Sequence, residues 1–427
     1  MVTGLILIAL LVLLSLGVPI GFALGIAGSL GLLAIGGTDT LLGILSTAPI
    51  STVSIYELIA IPMFVLMAEF VIVSRVAERL YDSLVIWVGR MPGGLAIATA
   101  FAGAGFGAIS GSSTIGAATL ASTSLPAMIR HGYERRMANG VVAISGTLGM
   151  LIPPSIALIL YSILTDLSVA KLLIAGIIPG VIITFVIVFT VLFLVWRDPS
   201  RAPAGRSYSF GAKVRSLGAT APMLLLIVVV VGSIYLGLAT PTEASSLGAF
   251  GAFCVAFGRG HLNAATFRSA LANAARTTAM ITTILLGAHI FGYALALTQT
   301  TQHFVAAIGG LNANRYVIIA LVILLKLCLG FFLDQFAILI LTVPIMVPLV
   351  VALGFDPIWF GVVLVLTAEV GMVTPPVGMN AFVIARYTGR PVEEVFAGVL
   401  PHVIAHLIAI VGFTIFPFLI LWLPSTM

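Results

Sequence analysis

One short run of residues limits the fold more than any other feature. Gly149-Met150-Leu151-Ile152-Pro153-Pro154 returns as Gly371-Met372-Val373-Thr374-Pro375-Pro376, an offset of 222 residues (371 − 149). Without a gap, the same offset pairs Pro19 with Pro241, Pro126 with Pro348, Gly132 with Gly354 and Pro179 with Pro401. The chain is therefore two copies of one unit, and any fold assigned to it has to be built twice. The halves are residues 1–196 and 217–427, joined by a polar linker at 197–216.

Composition decides the solvent. Hydrophobic residues make up 61 % of the 427 and charged residues 8 %, against roughly 45–50 % and about 25 % in soluble domains. A mean hydropathy of +1.24 calls for hydrocarbon, and the 44 Gly and 21 Pro suit spanning helices. The expected class is an all-α polytopic membrane protein. Cys254 and Cys328 lie in apolar stretches and form neither a disulfide framework nor a metal cluster. The 19 Lys and Arg are dispersed at segment ends and in loops, which argues against nucleic acid and for the positive-inside rule. The apolar run from Val2 has no basic flank and no small-residue cleavage site, so no cleavable signal is expected.

The linker carries five basic residues against one acidic, which places it in the cytoplasm. Spans need about 20 apolar residues. Counting back from Trp196, residues 177–196 run from outside to inside, and 135–165, broken at the Pro pair, run from inside to outside. Residues 92–130 then have both ends inside, beside Arg90 and Arg130, so they read as a re-entrant hairpin turning at Gly107–Ser113. In the second half, 314–352 is the matching hairpin, entering from outside and turning at Gly330–Gln335, and 357–388 is the matching broken helix. Trp87, Trp196, Trp359 and Trp422 lie near segment ends and are expected as interfacial anchors. Pro19 aligned with Pro241 divides the opening stretch into two short helices. Two inverted halves, each with a hairpin and a Pro-broken helix, are a secondary-transporter architecture.

Non-helical backbone at membrane depth is tolerated only where protein or a water-filled cavity covers it, so the two hairpin turns and the two Pro-pair breaks are expected to converge. Carbonyls and hydroxyls at such breaks suit a hard cation such as Na+, and half-helix N-termini suit an anion. Two equivalent breaks suggest at least two sodium sites. The candidate ligands are Ser110, Gly111, Ser113, Gly149 and Ile152 in the first half, and Gly330, Asp334, Gly371, Met372 and Thr374 in the second. Each also has a structural reading: Ser110, Ser112 and Ser113 as close-packing or capping residues, Asp334 as an N-cap, Thr374 and Ser155 as partners of the Pro pairs. Glu69 and Glu369 are intramembrane carboxylates that carry protons or bond neighbouring segments. Lys326 is expected to snorkel and His289 to be a satisfied packing residue.

Longer motifs carry a resemblance. GGLAIA and FGAISGSS within Gly93–Ser113, RHGYE…LGMLIPPS (Arg130–Ser155), SIYLGLATPTEASSLGA (Ser233–Ala249) and EVGMVTPPVGMN (Glu369–Asn380) resemble the large membrane subunit of tripartite ATP-independent periplasmic (TRAP) transporters. The likeness runs from GVPIGFALG (Gly17–Gly25) to EEVFAGVLP (Glu393–Pro401). It implies an inverted-repeat elevator transporter in the bacterial inner membrane that couples uptake of an organic acid, usually a carboxylate, to sodium. It also implies two protein partners, a small four-helix membrane subunit as a separate chain and a periplasmic substrate-binding protein. By motif position it implies Ser110, Ser112, Ser155 and Asp334 as substrate-binding residues. Two departures bear on the substrate: Thr114-Ile115-Gly116-Ala117 lacks an acidic residue often found in members, and Glu369 stands where many have a neutral one.

Three rivals remain at this level. A single-component sodium–carboxylate symporter of the same superfold would look similar. An intramembrane serine hydrolase could use Ser110 as nucleophile and His289 as base, but a duplicated unit makes no sense for a single triad. The third is a channel.

Overall fold

The computed structural model describes residues 2–309 and 313–427, with no strand among them. The first half contains α1 (Val2–Ser15), α2 (Ile20–Val53), α3 (Ala60–Val73), α4 (Val76–Val88), α5 (Gly94–Ser110), α6 (Ser113–Arg130), α7 (Arg135–Thr147), α8 (Ile156–Thr165), α9 (Val169–Ala175) and α10 (Ile177–Arg197). The second contains α11 (Phe210–Tyr235), α12 (Pro241–Gly258), α13 (Ala264–Leu297), α14 (Thr300–Gly309), α15 (Arg315–Gly330), α16 (Gln335–Ala352), α17 (Pro357–Gly371), α18 (Met379–Thr388), α19 (Val392–Ile415) and α20 (Phe418–Leu421). Seven helical stretches among the described residues are long and apolar enough to cross a membrane.

The repeat is visible in the elements. α6 and α16 begin and end 222 residues apart (335 − 113 and 352 − 130), as do the starts of α7 and α17. Gly132 and Gly354 close their hairpins with φ of +79° and +78°, a left-handed geometry that Gly adopts at little cost. α2 kinks at Gly37 (φ +68°), where the second half breaks between α12 and α13. Packing is exchanged between the halves: α13 lies on α2 and α12 on α3, α18 on α6 and α8 on α16. Reciprocal contacts of this kind are the mark of a two-fold relation.

α5 and α6 leave and return at one end of the molecule. The Gly93 N–H donates to the Ala202 carbonyl at 3.4 Å, and the Glu134 N–H to that of neighbouring Arg201 at 2.7 Å, so the linker touches both ends of the helix pair. Arg201 also pairs with Glu134 at 3.5 Å and Asp198 at 3.2 Å. The Ser200 hydroxyl and the Arg201 guanidinium hold the Asp198 carboxyl below its usual range. α15 and α16 return likewise, for the Arg315 guanidinium sits 5.3 Å from the Phe355 ring. α7 and α17 fill the middle: Met137–Thr147 and Trp359–Gly371 are buried at every position. α17 is apolar nearly all round, as a central helix is expected to be, whereas α7 buries Asn139, Ser145 and Thr147 among small and apolar residues.

Two expectations need correction. Trp359 is no interfacial anchor: it is 1 % exposed, its indole N–H donates to the Phe413 carbonyl at 2.9 Å, and its ring stacks on Phe355 at 5.1 Å. It starts the central α17, so its segment end lies inside the protein. Lys326 does not reach the surface either. It is 1 % exposed, donates to the Thr342 hydroxyl and lies 5.8 Å from the Phe360 ring, enclosed where α15, α16 and α17 meet.

The contact of one linker with both ends of α5–α6, set beside its basic charge, yields a topology test. With Cys254 and Cys328 replaced, a cysteine at exposed Ser207 should react with an impermeant thiol reagent only in opened cells. One at exposed Asn314 should react in intact spheroplasts. Reversed labelling would overturn the orientation.

Candidate functional site

Each helix pair ends in a tip that is pressed onto the Pro-pair break of its own half. A Cβ on Gly107 would lie 2.7 Å from the Gly149 Cα, and one on Gly149 would lie 2.9 Å from the Ser112 carbonyl oxygen. The second half repeats this: a Cβ on Gly371 would sit 2.6 Å from the Gly330 Cα. Only backbone fits between these segments. Gly111 turns the first tip with φ +59°, and the Gly378 N–H donates to the Phe331 carbonyl at 3.4 Å across the second. Both Pro pairs, 153–154 and 375–376, carry cis peptide bonds. The two assemblies touch where Ser113 Oγ lies 3.8 Å from Met372 Sδ. All four breaks thus meet at one centre.

The hydroxyls there are partly committed. Ser155 caps α8 by accepting from the Leu158 N–H at 3.2 Å and also donates to the Met150 carbonyl, so it holds the break in shape. Thr374 donates to the Val370 carbonyl at 2.6 Å. Ser110 makes a 3.5 Å contact with the Ser112 carbonyl, and Ser112 a 3.3 Å contact with Thr114; both are at the weak end of hydrogen bonding. Asp334 caps α16 through one oxygen, accepting from the Ala337 N–H at 3.0 Å, which leaves its second oxygen for another donor or a cation. Gly149, Gly330 and Met372 are buried, and Ile152 is half-buried.

The helix starts differ in a way that sets the local charge. α8 and α16 are capped by Ser155 and Asp334, whereas no side chain caps α6 at Ser112 or α18 at Gly378. α6 and α18 pack on each other. An uncapped N-terminus presents free N–H groups and the positive end of the helix dipole. Among the described residues the first N–H groups of α6 are open, whereas at the start of α18 the Asn380 N–H donates to the Met372 carbonyl at 3.0 Å and the Ala381 N–H to the Gly378 carbonyl at 2.8 Å. Carbonyls from the ends of α5, α15 and α17 lie beside them.

Other polar candidates are dispersed. Glu69 accepts from the Asn273 amide at 3.1 Å, joining α3 to α13. His289 Nδ1 is 2.8 Å from the Thr52 hydroxyl, a satisfied packing contact between α13 and α2. Glu369 is fully buried, and neither oxygen is hydrogen-bonded among the described residues. Sequence reasoning also missed, among the described residues, the amides of Gln335 and Asn380 beside the second tip and break, buried without hydrogen-bond partners. Gln335 opens α16 at the second tip and Asn380 opens α18 beside the second break. Their presence in an apolar run was visible, but their lack of a partner rests on contacts between helices that spacing does not give.

Residues 7–419 match the family described as the DctM component of the tripartite ATP-independent periplasmic transporter. The chain belongs to this family. A TRAP large permease is a multi-pass membrane protein of the bacterial inner membrane and the large component of a tripartite transporter. The C4-dicarboxylate TRAP transporter large permease protein DctM of Pseudomonas aeruginosa is 34 % identical over 87 % of this chain and 86 % of its own. The sialic acid TRAP transporter large permease protein SiaM of Vibrio cholerae is 29 % identical over 97 % and 96 %. These relatives are permeases, not enzymes. The crystal structure of the Alcanivorax borkumensis YdaH transporter has the same fold, with a TM-score of 0.67 at 14 % identity over 90 % of both chains.

The tip-to-break contact in this TRAP permease yields opposite outcomes for two glycines. Gly371→Ala should lower the melting temperature in detergent, because its Cβ meets backbone at 2.6 Å; overpacking costs about 1–3 kcal/mol. Gly292→Ala, with nothing within 4 Å, should be neutral or raise it, since Ala is the better helix former by up to ~1 kcal/mol.

Proposed function

We propose that this chain is the permease of a sodium-coupled TRAP transporter that imports an organic acid, a carboxylate, delivered by a periplasmic binding protein. The observation that carries the proposal is the meeting of four broken helix ends at one centre, with the N-terminus of α6 open there. In this reading one sodium ion is held by Ser110, Gly111 and Ser113 with Gly149 and Ile152. A second is held by Gly330 and Asp334 with Gly371, Met372 and Thr374. Neutral oxygens and a single carboxylate suit a hard monovalent cation. The substrate carboxylate lies between them, against Ser110, Ser112 and the open start of α6. Asp334 has the wrong charge to touch a carboxylate directly, so it acts on the substrate through the bound cation, and Ser155 acts by holding the break. The names of the relatives point the same way, for a C4-dicarboxylate and a sialic acid are both carboxylic acids.

The α5–α6 and α15–α16 pairs act as re-entrant hairpins that move with α7–α8 and α17–α18 as one body. The layer in which α2 packs on α13 and α12 on α3 is the scaffold. A small membrane subunit braces that scaffold. Binding each ion at a hairpin tip ties movement to occupancy, because an empty tip leaves carbonyls unsatisfied away from water.

Proteoliposomes test this. The chain alone, with sodium and free organic acid, should transport nothing measurable. Uptake should begin only when the small subunit and ligand-loaded binding protein are present, and should cease when potassium replaces sodium even with a pH gradient imposed. Sodium-driven uptake by the isolated chain would establish the single-component symporter instead. Uptake on a proton gradient alone would move the coupling to Glu69, Glu369 or Asp334.

A further inference from the structure

A cavity of about 410 Å³ opens between α6, α7, α18 and α19, away from the centre just described. Its mouth carries Arg130, Arg135 and Arg390, and its apolar wall is Leu125, Pro126 and Ile129 of α6. Arg390 pairs with Glu394 at 3.4 Å. Arg130 and Arg135 make no ion pair among the described residues, which leaves the mouth with a net positive charge. Deeper in, Asn139 also lines the cavity. The residue is 2 % exposed and its side chain makes no hydrogen bond among the described residues, but its amide is not sealed off, so it can bond whatever fills the cavity.

The repeat makes this charge informative. Positions 222 residues from Arg130, Arg135 and Arg390 are Ala352, Pro357 and Ser168. The duplicated framework therefore does not itself require arginines; they occur at one end only. That end is the one where the linker joins Glu134 through Arg201, and the linker's basic charge sets it at the cytoplasmic surface. From Arg130 the lining runs nine residues up α6 to Ala121, roughly 13 Å at the helical rise. A cluster of guanidiniums at the membrane surface above an apolar wall of that length matches a phosphate headgroup and the start of its acyl chain. A soluble anion would leave the wall uncovered.

We propose that this cavity binds an anionic phospholipid of the inner leaflet, its phosphate held by Arg130, Arg135 and Arg390, its glycerol region by Asn139 and its chain along α6. Because the cavity joins the second limb of the first hairpin to α18 and α19, the bound lipid tethers elements of both halves.

Native mass spectrometry of the delipidated full chain in detergent, titrated with phosphatidylglycerol, phosphatidylcholine or sodium phosphate, tests this. Phosphatidylglycerol should bind at least about tenfold tighter than phosphatidylcholine. The Arg130→Gln/Arg135→Gln pair should lose roughly 20- to 30-fold, the effect of two guanidiniums near the surface. Arg130→Lys/Arg135→Lys should keep most of the affinity, which separates lost charge from lost fold. Arg206→Gln/Arg215→Gln, which removes equal charge from exposed positions outside the cavity, should change nothing. Equal binding of the two lipids, equal loss in the Arg206/Arg215 pair, or displacement of phosphatidylglycerol by sodium phosphate at like concentration would overturn the proposal.

Discussion

The structure depends on one constraint: backbone polar groups freed by a helix break must find partners when water is excluded. This chain breaks helices four times at its centre and covers each break with another. The cover is backbone on backbone, Gly107 against Gly149 and Gly330 against Gly371, because no side chain fits the gap. Close approach brings carbonyls and N–H groups from several segments into one small volume. The same geometry that stabilises the breaks thus leaves a cluster of oriented dipoles, and the proposed ion and substrate sites are what such a cluster can hold.

Duplication gives that centre its second property. When α6 packs on α18 and α16 on α8, each half completes the other's part of the proposed binding region. Equivalent positions are then free to differ in chemistry. Ser113 in the first half corresponds to Gln335 in the second, and Thr147 to Glu369. α6 starts without a side-chain cap, whereas α16 is capped by Asp334. A two-fold framework with unlike fillings gives the proposed site an asymmetry of its own, which suits the directional transport proposed for it.

Much of this was legible in the sequence, for physical reasons. Gly and Pro mark breaks because they cannot continue a helix cheaply, and a constant spacing marks a duplicated unit, so the runs at 149–154 and 371–376 give both at once. What spacing does not give is the direction in which a side chain points. Trp359 and Lys326 occupy positions that suit an anchor and a snorkelling cation, yet both turn inward, because α17 lies at the centre with neighbours on every side. The unpartnered amides of Gln335 and Asn380 and the arginine-rimmed cavity around Asn139 escaped notice for the same reason. Their meaning lies in contacts between helices distant in sequence.

The central claim is that the four breaks form one sodium-responsive unit. Hydrogen–deuterium exchange of the full chain, compared in sodium and in potassium at equal ionic strength, tests it most directly. The account predicts slower exchange in sodium at residues 107–116, 148–158, 330–337 and 371–381 together, with α2 and α12 unchanged. Equal exchange at all four segments in the two salts, or protection confined to α2 and α12, would contradict it.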